Sequence, residues 1–132
     1  MTQIFKEHRA LGVTPIKIAQ NEDMAPLKVG ELVHVSGITK GHGFQGVVKR
    51  HGFGGGPKTH GQKNRHRAPG SIGNTTPQRV LPGRRMAGHM GVVKQTIKNM
   101  EVVSIDAEKK ILFILGAAPG PTRGAVTVNT AK

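Results

Sequence analysis

Residues 1–35 and 99–132 read as a small, mostly antiparallel β body. Residues 36–98 read as a long, basic, glycine-rich irregular extension inserted in that body. Three observations carry this reading. Short runs of β-favouring residues are confined to the two ends of the chain. No sustained 3.6-residue apolar period marks a substantial helix anywhere. The middle holds fourteen of the nineteen glycines and not one carboxylate.

Taken in order, Met1-Thr-Gln-Ile-Phe5 is a candidate first strand. Ile16 and Ile18 flank Lys17 and give a second, introduced by Pro15. After the turn signal Lys28-Val29-Gly30, Leu32, Val33 and Val35 give a third. Met100-Glu-Val-Val-Ser-Ile105 and Ile111-Leu-Phe-Ile-Leu115 are two β-rich runs around Asp106-Ala-Glu-Lys-Lys110, which predicts a hairpin with a five-residue loop. Ala117-Ala-Pro-Gly-Pro121 breaks the chain, and Ala125-Val-Thr-Val-Asn129 supplies one more strand. From Lys49 to Gly91, by contrast, the large aliphatic and aromatic residues are Phe53, Ile72, Val80 and Leu81. Such a stretch cannot cover its backbone with a core, so it is expected to become ordered on a partner.

Composition narrows the function. Val, Ile, Leu and Phe make up 32 of 132 residues, which allows a small core and excludes a large one. Cysteine is absent, which rules out a disulfide scaffold, a thiolate metal site and a cysteine nucleophile. The longest apolar run, Ile111 to Ala118, is far short of a membrane span. The opening residues lack an apolar signal core, and a cytoplasmic location is expected.

Charge is the strongest signal. The chain carries 20 Lys and Arg against 7 Asp and Glu, yet no carboxylate occurs in the 69 residues from Leu32 to Met100. That stretch holds Lys40, Lys49, Arg50, Lys58, Lys63, Arg65, Arg67, Arg79, Arg84, Arg85, Lys94 and Lys98. An ordinary solvated face mixes both signs, whereas a one-sign segment repels itself until a polyanion neutralises it. Arginine and lysine neutralise phosphates and release counterions, and glycine lets the backbone approach closely. No helical pattern suits a DNA major groove, so folded RNA is the expected partner.

Competing motifs fail on their own requirements. Gly41-His-Gly-Phe-Gln-Gly46 matches the dinucleotide fingerprint, but Val47-Val-Lys-Arg-His51 does not read as a helix start. No carboxylate follows until Glu101 to hold a ribose. In Gly52 to Thr59, Pro57 precedes the lysine where a phosphate loop needs glycine. The echo of an RNA-recognition motif at Lys40 to Phe44 lacks the companion aromatics for base stacking as the main grip. His51, His60, His66 and His89 do not show metal-ligand spacing and suit phosphate or 2′-hydroxyl contacts better. Ser71 has no local acid to complete a hydrolytic triad, so neither catalysis nor a cofactor is expected.

Four long runs stand out: Ser36 to Phe53 (SGITKGHGFQGVVKRHGF), Gly55 to Gly61 (GGPKTHG), His66 to Gly73 (HRAPGSIG) and Pro82 to Gly91 (PGRRMAGHMG). In this order they resemble the universal L3 family of ribosomal proteins. The likeness continues through Asn99 to Val103 and Gly116 to Gly120, and Met1 to Phe5 resembles a stretch near the family's N-terminus. It implies a structural, non-catalytic constituent of the large ribosomal subunit that binds large-subunit rRNA and meets neighbouring ribosomal proteins. It implies a barrel-like β body of the translation-protein type, an extension threading toward the peptidyl transferase centre, and a part in early subunit assembly. A free RNA-binding or assembly factor is the alternative. Carried over residue by residue, Lys40, Lys49, Arg50, His51, Lys58, His60, Arg67, Arg79, Arg84 and Arg85 become rRNA contacts, with Ser71 to Thr76 near the inner tip. His42, Lys63, Arg65, His66, Ser71, His89 and Lys94 join them as candidate rRNA contacts. Three departures stand out. His42 replaces a common lysine, Asn74-Thr75-Thr76 stands where many members carry a modified glutamine, and elements between about Ala19 and Leu27 are missing, which implies a reduced barrel.

Overall fold

The computed structural model describes residues 1–6, 8–19 and 27–131. Residues 20–26, where the shortening of the body is expected, lie outside the described residues. The chain divides into two compact units, residues 1–40 with 93–132 and residues 41–92.

The first unit is an antiparallel sheet of six strands. These are β1 (Thr2–Lys6), β2 (Arg9–Lys17), β3 (Leu32–Ile38), β6 (Lys94–Asp106), β7 (Ile111–Leu115) and β8 (Val126–Thr130). The second unit contributes β4 (Gly43–Gln45), α1 (Val47–His51) and β5 (Gly88–Met90). In the large sheet the order is β1-β2-β7-β6-β3-β8. Among the described residues β1 and β8 each pair on one side only, so the expected barrel-like body is an open sheet rather than a closed barrel.

Alternation along each strand makes the core. Leu112 and Ile114 on β7, Val33 and Val35 on β3, and Met100 and Val102 on β6 are buried together, with Ile16, Ile97, Ile105, Val126 and Val128 packed around them. Strand β6 pairs with β3 through its first half and with β7 through its second. Two bulges let one strand serve both. Between Val33 and Val35 the partner advances from Met100 to Ile97, and between Val102 and Ser104 it advances only from Ile114 to Phe113. Each inserts one extra residue in β6, which bends and twists the strand locally. At the first bulge Asn99 takes φ 57°, and its N–H donates to His34 Nδ1 at 3.2 Å.

The strands run longer than their apolar runs. β6 begins at Lys94 rather than Met100, because Lys94 to Thr96 find ladder partners in Ile38 to Ser36. β2 begins at Arg9 and runs through Pro15. That proline is tolerated because, among the described residues, its half of β2 pairs with β7 alone, the β1 ladder having ended at Val13. The hairpin turn is four residues rather than five, since Asp106 and Ile111 pair directly. Asp106 Oδ1 accepts from the Lys109 N–H at 3.1 Å to close it.

The expectation that no helix follows Gly46 is corrected. Val47–His51 forms one α-helical turn and a half, despite two β-branched residues at its start. Burial of Val47 anchors it, and Gly52, at φ 72°, ends it in the left-handed conformation that glycine adopts without strain. Lys49, Arg50 and His51 fill the last turn, where cations match the partial negative charge of helix carbonyls. The dinucleotide reading still fails. The strand lies inside the glycine motif and pairs antiparallel with β5, and every strand pair among the described residues is antiparallel.

Candidate nucleic-acid interface

Residues 41–92 carry nine Lys and Arg and no Asp or Glu. Val47 is the buried residue of this unit, and every residue from Ser71 to Ala87 is exposed. A segment with so little apolar burial presents its side chains and much of its backbone to whatever surrounds it.

The base of the unit is regular. β4 and β5 form a two-stranded ribbon with Phe44 opposite His89, and the His42 N–H donates to the Met90 carbonyl at 2.9 Å. From α1, Arg50 Nη1 donates to the Met86 carbonyl at 2.7 Å, and His51 Nε2 lies 3.0 Å from the same oxygen. The His51 ring also meets Phe53, with centroids 6.0 Å apart. Arg50 and His51 are thus partly committed to holding the returning strand, and both are half-buried.

Beyond Gly52 the path is a series of turns. Gly56 N–H donates to the His66 carbonyl at 2.8 Å, closing the loop that displays Lys58, His60, Lys63 and Arg65. Gly55 is required there twice over. Its φ is +73°, and a Cβ would stand 2.3 Å from the His66 oxygen. Gly55→Ala is therefore expected to open this loop and speed trypsin cleavage at Lys58, Lys63 and Arg65 by roughly tenfold. Gly54→Ala, whose Cβ would enter open space, is expected to leave cleavage unchanged. Equal rates in the two variants would contradict the closed loop.

Further on, Arg84 Nη2 donates to the Ser71 carbonyl, tying the outgoing and returning limbs of the tip. A shallow concavity beside this bond is lined by Ile72, Asn74, Pro77, Arg79 and Leu81. Arg67, Arg79, Arg84, Arg85, Lys49 and His89 are exposed, and His66 is half-buried. Lys40 and Lys94 belong to the sheet unit, and both are exposed at the ends of β3 and β6. The structure therefore does not gather the sequence-derived residues at one point; it strings them along the extension. Among the described residues no three His, Asp or Glu side chains group so as to hold a metal ion. Sequence reasoning passed over Phe44 as a site residue. It is 76% exposed, and only the pairing of β4 with β5 gives it His89 as a neighbour.

Known proteins match this architecture in sequence. The family described as Ribosomal protein L3 matches residues 15–112. The protein named large ribosomal subunit protein uL3 from Xylella fastidiosa (strain M23) is 52% identical over 105 residues, which is 79% of this chain and 49% of that protein. Its namesake from Thioalkalivibrio sulfidiphilus (strain HL-EbGR7) is 53% identical over 117 residues, 84% of this chain and 55% of its own length. That from Stenotrophomonas maltophilia (strain R551-3) is 51% identical over 106 residues, at 80% and 49% coverage. The chain spans about half the length of the curated relatives it matches. With three-quarters of its residues inside the family match and half of the aligned positions identical, the chain belongs to the ribosomal protein L3 family.

Proposed function

We propose that the chain is a non-catalytic constituent of the large ribosomal subunit that grips large-subunit rRNA through residues 36–98, the extension 41–92 together with the strand ends of the sheet that lead into it. The observation that carries this reading is the 69-residue span without a carboxylate, whose cations stand mostly exposed along an irregular path. A polyanion with crevices matches such a surface; a small substrate, which calls for a concave apolar pocket, does not. The relatives' printed name supports the ribosomal setting, and from it follow the finer proposals. The tip around Ser71 to Thr76 reaches toward the peptidyl transferase centre, binding occurs early in subunit assembly, neighbouring large-subunit proteins flank the sheet, and the whole resides in the cytoplasm.

The test is co-sedimentation. The full chain, expressed in its own cell, is expected to travel with large subunits at about one copy each and to stay bound through a high-salt wash, because RNA folded around the extension in the assembled subunit makes release slow even though salt weakens the affinity of the free chain. Release of the chain at low salt, or its presence on precursor particles alone, would favour the free assembly factor instead.

A further inference from the structure

The ribbon of β4 and β5 has two unlike faces. Burial alternates along β5, with Gly88 and Met90 half-buried around exposed His89, and on β4 Gln45 is half-buried while Gly43 and Phe44 are exposed. A Cβ at Gly88 would lie 2.7 Å from Arg50 Nη1, so the Arg50 guanidinium covers the Gly88 face. Neighbouring residues on a strand point to opposite faces, and paired residues across the ladder point to the same one. Phe44 and His89 are directly paired, so they stand side by side on the face that Arg50 leaves open. Phe44 is 76% exposed, in a chain with only four phenylalanines and no Tyr or Trp.

We infer that Phe44 and His89 form a stacking platform for one unpaired RNA nucleobase, an inference that rests on the RNA-binding reading above. An exposed ring gains by covering its face, and a planar base offers a π-surface of matching shape. The occupant is a nucleotide rather than an apolar protein patch because the unit around the platform carries nine cations and no anion. A base arrives with its own phosphates attached, so stacking and charge neutralisation come from one ligand. One platform also fits the scarcity of aromatics: phosphate contacts hold the RNA, and Phe44 fixes which nucleotide sits unpaired.

The two contributions separate experimentally, because stacking does not release counterions. The full chain is titrated with a single-stranded oligoadenylate carrying one central 2-aminopurine, and with a blunt RNA duplex of equal phosphate number. Phe44→Ala is expected to weaken binding to the single strand by roughly 5- to 150-fold. It should leave the salt slope unchanged, abolish the 2-aminopurine quenching, and alter duplex affinity less than about twofold. Phe44→Trp is expected to restore both affinity and quenching. Equal loss on both probes, or an unaffected single strand bound with a steep salt slope, overturns the platform and leaves the RNA-binding reading standing. Failure of the wild-type chain to bind either RNA overturns both.

Discussion

Raising monovalent salt from about 50 to about 200 mM is expected to cut the affinity of the full chain for large-subunit rRNA by roughly 10³- to 10⁵-fold. That range corresponds to ~6–10 phosphate contacts. The extension has the side chains to make them, since residues 41–92 alone carry nine Lys and Arg. Unfolding does not confound the measurement, because added salt screens repulsion among these cations and so favours the compact free chain. Within the same titration, Arg84→Ala with Arg85→Ala is expected to flatten the log–log slope by roughly one to two units. The two arginines are not equivalent. Arg84 donates to the Ser71 carbonyl, so its loss also loosens the tip, whereas Arg85 is exposed and has no such duty in the structure. Arg85→Ala alone should therefore change the slope with little effect on the tip, and Arg84→Ala should change both. An unchanged slope in the double variant would show that neither side chain meets a phosphate.

The parts of this molecule legible in its sequence are those encoded locally. The hairpin of β6 and β7 follows from two β-rich runs, Met100 to Ile105 and Ile111 to Leu115, around a short polar loop, and the strand at Leu32 from Val33 and Val35 on one face. The one-sign charge of the extension is likewise visible without coordinates. What the sequence hides depends on partners far along the chain. Lys94 to Asn99 is polar enough to read as loop, yet it is strand because β3 offers it a ladder. Val47 and Val48 argue against helix by propensity, and burial of Val47 between two glycine ends overrides them. Which cations are tied down is equally hidden: Arg50 answers a carbonyl 36 residues away, and Arg84 one 13 residues away. Phe44 and His89 illustrate the limit most directly. Nothing in either local sequence suggests that they share a face, and the two-stranded pairing of three-residue strands alone puts them together.

Leu112→Ala is expected to be the most damaging single change to the fold, costing about 2–5 kcal/mol. Leu112 is fully buried in β7, which is flanked by β2 and β6, so no edge is free to collapse into the space it leaves. Among the described residues six make up the buried cluster, and so small a core leaves little room to spread the loss. Against a total of ~5–15 kcal/mol for a small protein, the variant forfeits a large fraction of its stability. With a urea m-value of ~1–3 kcal/mol/M, the midpoint should fall by roughly 0.7–5 M. Leu112→Met, which nearly conserves volume, should cost less than about 1.5 kcal/mol. Phe5→Ala, at a side chain 76% exposed on an edge strand, should stay within about 0.5 kcal/mol of the parent. If Leu112→Ala instead behaves like Phe5→Ala, the cluster of Val33, Val35, Met100, Val102, Leu112 and Ile114 is not what folds the sheet. The sheet would then owe its order to something outside these residues, and RNA, which binds the folded form and so stabilises it by mass action, would be the first component to add back to the melt.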